Sequence, residues 1–293
     1  MNEPNGSSIA QYAAGTTDLI IAETADIIRS AGFTRAHIVI IGGLVPSLLV
    51  PVVDPHSEPH VGTADIDLCL SLALVEGDTA EYQRLEKTLK DLGFRTDDAS
   101  FRWVRDRAPK ITLEFFCPSG PNRPPGKVYR PSNAENPVAK HNMGGKLTAL
   151  SLEAGKLLNS DVEIIEQNVM LPEDKGSITI KLRVTGPLAF LVAKGQALLN
   201  RDKPKDAYDI VWLIENWAAD PASAAQQIAK RDIYSAEVEQ QLRALGISFA
   251  DEKSVGARSY ARFMAASGAD LIAARRAVGA VNEFLQALPS AEA

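Results

Sequence analysis

The stretch Thr63-Ala64-Asp65-Ile66-Asp67-Leu68 decides how the chain is read. On a strand, side chains alternate between faces, so Asp65 and Asp67 project together while Ile66 and Leu68 enter a core. Two carboxylates side by side repel one another in a low dielectric, and one takes up a proton unless a cation sits between them. A divalent metal relieves that cost, and Mg²⁺ favours one or two carboxylates with phosphate oxygens completing its shell. The plainer reading of the same residues is a solvated edge strand carrying two exposed aspartates. The surroundings have to choose.

Upstream, His37-Ile38-Val39-Ile40-Ile41 reads as a buried strand that ends in Gly42-Gly43. A short apolar helix follows, with Pro46 tolerated in its first turn. Glycines between a strand and a helix let the backbone approach a phosphate, and the helix start supplies N–H donors. Downstream, Lys110-Ile111-Thr112-Leu113-Glu114-Phe115-Phe116 is a strand in which Glu114 shares a face with Thr112 and Phe116. A glutamate between two aromatic residues is unusual in a strand. With two aspartates and a Gly-Gly turn before it, a functional reading of this third acid is the better one.

Further out, Thr17 to Ala31 carries its apolar residues on one helical face before Gly32, and Tyr82, Leu85, Leu89 and Leu92 share a face ahead of Gly93. Phe101 to Val104 reads as another strand. Strands alternating with helices predict an α/β core. Pro51 to Gly62, with three prolines, is a loop, and Pro118 to Gly145 is a long loop or inserted arm. Strand patterns return at Val162–Ile165 and Ile178–Val184, and beyond Pro187 the chain is alanine-rich and helical. The expected organisation is an α/β (α+β) domain over 1–186 and a mostly helical one over 187–293, with the first dozen residues disordered.

The 293 residues are 45% hydrophobic with a net charge of −6. No apolar run reaches membrane-spanning length, and the polar N-terminus has no cationic start, so a cytoplasmic protein is expected. Cys69 and Cys117 are too few for a disulfide framework or a zinc site. The acidic balance excludes a globally basic nucleic-acid binder but not a local patch. From 101 to 147 nine cations stand against three acids, with Tyr129 and His141 among them. That stretch, with Arg123, Lys127 and Arg130, is the expected grip on an RNA backbone. Three signals are set aside. Met143-Gly144-Gly145-Lys146-Leu147-Thr148 lacks the spacing of a phosphate-binding loop. Pro59 prevents a helix that would aim His56 and His60 at one metal, leaving both as loop residues. Trp212 and Trp217 read as core.

One more pattern lies downstream. Phe190-Leu191-Val192-Ala193-Lys194 leads through Asn200-Arg201 to Lys203-Pro204-Lys205-Asp206-Ala207-Tyr208-Asp209-Ile210. Strand, Gly-Gly, helix, D-x-D, a later lone acid and this lysine-to-aspartate run together resemble the nucleotidyltransferase (polymerase-β-like) superfold. Within it, the chain resembles the AbiEii/AbiGii-type toxin branch, which includes toxins that modify tRNA. The resemblance implies a mixed-sheet core with a C-terminal helical region. It implies that Gly42 and Gly43 hold a triphosphate, and that Asp65 and Asp67 bind Mg²⁺ or Mn²⁺. Glu114 would ligate metal or act as base, and Lys194 would contact nucleotide phosphates. Asp206 and Asp209 would act directly or hold Lys205 or Arg201. The function implied is metal-dependent transfer of NMP from an NTP to an RNA acceptor, a tRNA 3′ end, by the toxin of a toxin–antitoxin pair with a cognate antitoxin. Rival readings are transfer to a protein or small-molecule hydroxyl, and a catalytically silent module that binds RNA or a partner.

Overall fold

The computed structural model describes residues 8–12, 15–50, 58–71, 79–97, 101–106, 110–129, 147–265 and 270–291. Backbone contacts divide the chain into two compact units. One comprises 15–45 and 63–185. The other runs from Gly186 onward and takes in the described parts of 1–14 and 46–62. The last two segments are ones that the sequence reading grouped with the α/β half.

The first unit is a mixed sheet, as the resemblance implies. Strand β1 (Ile38–Ile41) lies antiparallel to β2 (Asp65–Leu70), and β2 lies parallel to β5 (Ile111–Pro118). Outward from β5 come β4 (Arg102–Arg105) and β3 (Arg95–Thr96), both antiparallel pairings. Beyond β1 come β9 (Ser177–Thr185), parallel, and β8 (Val162–Met170), antiparallel to β9. β1 is buried at every position, which its run of β-branched residues permits. Helix α1 (Thr16–Ser30) buries Ile20, Ile27 and Ile28, and α2 (Val45–Leu49) follows a single 3₁₀ turn at Gly42–Leu44. In α3 (Thr79–Asp91) Leu85 and Leu89 are fully buried; the Tyr82 side chain lies outside those described.

Two elements escape the sequence pattern: β7 (Ala149–Leu152), paired with β5 and with β6 (Val128–Tyr129), and α4 (Gly155–Ser160). Both are short, and α4 needs a glycine for packing rather than for a turn. A Cβ on Gly155 would lie 2.6 Å from the Pro118 Cα and 2.9 Å from the Cys117 carbonyl. Cys69 and Cys117 are free and buried, and desolvation pushes their thiols up to about 12 and about 11.

Two arginines of the cation-rich stretch, Arg105 and Arg123, are committed to the fold. Arg105 is buried, paired with Glu23 of α1, and lies 4.8 Å from the Phe94 ring centroid. Arg123, expected on an RNA-gripping arm, is instead buried: its Nε donates to the Pro118 carbonyl at 3.2 Å and its guanidinium covers the Tyr129 ring. Sequence counts charge but not the carbonyls and rings that absorb it. Lys110 and Lys127 are exposed. Arg107, Arg130, Lys140, His141 and Lys146 lie outside the described residues, as do His56 and the segment 130–146.

The helical unit is built on α5 (Pro187–Asn200), which starts with proline at its first position, and α6 (Lys205–Asn216). α7 (Pro221–Ile228), α8 (Ala236–Arg243), α9 (Leu245–Ser248), α10 (Val255–Met264) and α11 (Leu271–Ala287) complete it among the described residues. Phe190, Phe249, Phe263 and Phe284 are fully buried. Part of the first dozen residues is ordered against this unit: Ile9–Gln11 form a 3₁₀ turn, and the Tyr12 ring meets Phe263 at 5.9 Å. Residues 1–7 lie outside those described. Trp212 and Trp217 are half-buried, not core.

Arg105→Ala removes the cation facing buried Glu23. Breaking a buried pair from one side costs about 3–5 kcal/mol, so urea unfolding of the variant should show a midpoint lowered accordingly. An unchanged midpoint would mean that the pair contributes nothing.

Candidate active site

β2 alternates as its sequence requires: Ile66 and Leu68 are buried, and Asp65 and Asp67 are half-exposed on the opposite face. Registry then brings the third acid alongside. In the parallel β2–β5 pair, Asp65 faces Thr112 and Asp67 faces Glu114. In the antiparallel β4–β5 pair, Glu114 faces Arg102. Directly opposed residues in neighbouring strands point to one side of the sheet. Arg102, Glu114 and Asp67 therefore form a row across three strands, with Asp65 two residues along.

Arg102 closes on Glu114 through Nε at 2.7 Å and Nη2 at 2.5 Å, both to Oε1. Burial works against the guanidinium's charge, yet Glu114, with Asp65 and Asp97 adding their fields, lifts its pKa above the ordinary value. The acids of this face thus have a built-in counter-cation, which the sequence reading had assigned to the arm.

Gly42 completes the arrangement. Its φ is +72°, a region that side chains disfavour, and a Cβ there would lie 1.9 Å from Asp67 Oδ2. Glycine is needed at this point because the Asp67 carboxylate lies against its Cα. Gly43 is buried in the same 3₁₀ turn.

Asp65, Asp67 and Glu114 are not gathered into a ready three-carboxylate cage. Among the described residues no group of three or more His, Cys, Asp or Glu is arranged to hold a metal ion. Registry explains this, because Asp65 is one row removed and Glu114 is drawn toward Arg102. Two carboxylates still suit a cation whose remaining ligands come from phosphates and water.

The expected Lys194, Asp206 and Asp209 lie in the helical unit and form a buried ionic network of their own. Lys194 Nζ lies 2.7 Å from Asp206 Oδ1 and 2.7 Å from Asp209 Oδ2. Arg201 holds Asp206 through Nε at 2.8 Å and Nη2 at 2.9 Å. Lys205 reaches Asp209 Oδ1 at 2.6 Å. Both carboxylates are fully buried. Their i, i+3 spacing on α6 puts them on one side of the helix, where α5 presents Lys194.

His60 is the member that sequence reasoning missed. It lies in a loop, as expected, but is buried there, and its Nε2 lies 2.9 Å from Asp209 Oδ1. The Gly62 backbone N–H donates to Nδ1 at 3.0 Å, so Nδ1 is the acceptor and Nε2 carries the proton given to Asp209. Ser47 Oγ lies 3.2 Å from the same Nδ1. The ring sits 5.1 Å from Tyr208 and 4.9 Å from Trp212, and the Tyr208 hydroxyl accepts from the Val61 N–H. No sequence signal links residues this far apart. The only cue was an unexplained histidine beside proline.

The network's charges follow from its partners. Burial and the nearby Lys205 hold the His60 pKa down at about 4, against the pull of Asp209. Burial, aided by Lys194, brings Lys205 to about 8 although Asp209 opposes it. Burial disfavours charge on Lys194, but Asp206 and Asp209 outweigh it and raise its pKa. Burial likewise raises Asp209, and Lys194 and Lys205 more than reverse the effect, leaving it well below the usual carboxylate range.

Comparison with known proteins now bears on these motifs. The family model for the nucleotidyl transferase AbiEii toxin of type IV toxin–antitoxin systems matches residues 62–286. The chain belongs to that family. The matched span holds Asp65, Asp67, Glu114, Lys194, Asp206 and Asp209, while Gly42 and Gly43 precede it. AbiEii proteins are nucleotidyl transferases, so the chain is an enzyme by family. No curated protein matches it. The crystal structure of JHP933 from Helicobacter pylori is similar at 13% identity, covering 94% of each chain with a TM-score of 0.42. No helix among the described residues is long and apolar enough to cross a membrane.

Between pH 6.5 and about 4 the unfolded chain binds a proton that folded His60 refuses. Stability from this group is therefore present above 6.5 and declines as pH falls through that window. Melting temperatures measured across it should fall less steeply for His60→Gln than for wild type. Parallel slopes would show that His60 titrates normally.

Proposed function

We propose that the chain transfers a nucleoside monophosphate from an NTP to a hydroxyl of an RNA acceptor, a tRNA 3′ end, on the face formed by β2 and β5. The supporting observation is the shared face of Asp65, Asp67 and Glu114 beside Gly42. A divalent cation, Mg²⁺ or Mn²⁺, held by Asp65 and Asp67, would supply the charge neutralisation that attack on an α-phosphate demands. The acceptor oxygen bonds to the α-phosphorus, its proton passes to Glu114, and the bond to pyrophosphate breaks with its electron pair leaving on pyrophosphate. The turn at Gly42 and Gly43 offers backbone N–H groups to the triphosphate, where a side chain at Gly42 would collide with Asp67.

Lys194 enters as the phosphate-contacting cation that the resemblance implies. Its ammonium donates to Asp206 Oδ1 at 2.7 Å and lies within ion-pair distance of Asp209 Oδ2, which holds the charge in place. Asp206 and Asp209 then act as positioning residues that keep Lys194 charged and fixed. The acceptor reading rests on the family and on the local excess of cations. With Arg105 and Arg123 taken by the fold, the exposed cations described in that stretch include Lys110 and Lys127. The protein acts in this reading as a cytoplasmic toxin opposed by a cognate antitoxin.

The test supplies each labelled NTP with Mg²⁺ and total cellular RNA. Wild type should label RNA, and Asp65→Asn and Asp67→Asn should each fall to background while melting at or above the wild-type temperature, since each loses one like charge. Label appearing in protein or a small molecule replaces the acceptor. No label from any NTP overturns the proposal.

Gly42→Ala should keep the fold yet lose transfer by at least about tenfold, the equivalent of about 1.4 kcal/mol. Its methyl forces the Asp67 carboxylate aside. Wild-type rates in this variant would remove Gly42 from the site.

A further inference from the structure

We infer that Arg102 is a positioning residue of the transferase site, orienting Glu114 toward the acceptor hydroxyl rather than binding the nucleotide. The inference rests on the proposed role of Asp65, Asp67 and Glu114.

Three observations carry it. First, Arg102 is directly opposite Glu114 in the β4–β5 register, and Glu114 is opposite Asp67 in the β5–β2 register. The guanidinium thus reaches the acids along one row of a rigid sheet rather than from a loop. Second, Nε and Nη2 both close on the same oxygen, Oε1. Two donors on one oxygen fix the torsion of the carboxylate and commit Oε1 to the pair. Oε2 is then the oxygen that takes the acceptor's proton as its oxygen bonds to the α-phosphorus and pyrophosphate departs. Third, Arg102 is enclosed by acids: Glu114 in contact, Asp97 at 4.0 Å from Nη1, and Asp65 adding its field. A cation so surrounded is largely neutralised before any triphosphate arrives, which favours holding Glu114 over recruiting phosphate.

The alternative roles predict different numbers. A phosphate-binding arginine would weaken NTP binding when removed. A cation serving only sheet stability would lower the melting temperature and leave turnover per folded molecule intact. A positioning residue changes turnover while leaving nucleotide affinity alone. Lysine cannot reproduce the fork of Nε and Nη2, so Arg102→Lys should restore only part of the function.

The experiment measures three quantities on the full chain: the Kd for Mg²⁺-NTP by calorimetry, single-turnover transfer to RNA at saturating NTP, and the melting temperature. They are taken for wild type, Arg102→Met, Arg102→Lys, Glu114→Gln and the double variant Arg102→Met/Glu114→Gln. Arg102→Met should keep its Kd within twofold and lose transfer at least tenfold, with Arg102→Lys between it and wild type. In the double variant the losses should not multiply, because Arg102 acts through Glu114. A Kd raised tenfold in Arg102→Met makes Arg102 a nucleotide ligand and overturns the inference. So do fully multiplicative losses, or wild-type transfer in Arg102→Met. Absence of transfer in wild type would instead strike at the proposed function, so the two failures are distinct.

Discussion

Strand β2 has to satisfy two opposed demands within six residues. One face must bury Ile66 and Leu68 in the sheet's interior, and the other must carry two carboxylates that repel each other. Strict alternation makes both possible at once, because a one-residue slip would bury Asp65 and Asp67 and expose the leucine and isoleucine. That fixes the registry of β1 and β5 against β2. Registry in turn places Glu114 beside Asp67, Arg102 beside Glu114, and Gly42 against the Asp67 carboxylate. The neighbours of this strand are thus arranged around accommodating negative charge at the sheet surface.

The helical unit handles charge in the opposite way. Its acids are fully buried, and each carries more than one cationic or hydrogen-bonding partner: Asp206 with Lys194 and Arg201, Asp209 with Lys194, Lys205 and His60. Desolvating these groups costs more than a single pair returns, so the arrangement stands only as a connected whole. Its effect is to hold Lys194 protonated in one geometry, which a surface lysine on a flexible stem does not have. His60 adds a neutral ring whose tautomer is set by the Gly62 amide. Within this unit, residues 60 and 61 are thereby held to α6, through His60–Asp209 and through the Val61–Tyr208 hydrogen bond.

Much of this was legible in sequence where a period or a short motif carries the signal. The face shared by Asp65 and Asp67 follows from the two-residue repeat, as does the side of β5 on which Glu114 projects. The amphipathic helices follow from the 3.6-residue repeat. The family was legible because four motifs fell in one order. What could not be read was pairing across long separations. His60 meets Asp209 149 positions away, and nothing local to either residue marks the contact. Arg102, Arg105 and Arg123 looked alike as charges on a basic stretch. The fold gives each a different task, holding Glu114, neutralising Glu23 and bonding the Pro118 carbonyl. β7 and α4 were hidden because elements of four and six residues carry too few repeats to show a period.

The central claim is that Asp65 and Asp67 hold nucleotide through a divalent cation on the open face of β2. Calorimetric titration of NTP into the wild-type chain and into Asp67→Asn, each with Mg²⁺ and with excess chelator, tests it most directly. The account predicts that wild type binds NTP with Mg²⁺ and loses at least tenfold in affinity with chelator, whereas Asp67→Asn binds weakly and equally in both. NTP binding by wild type that is indifferent to Mg²⁺, or metal-dependent binding that survives intact in Asp67→Asn, would contradict it.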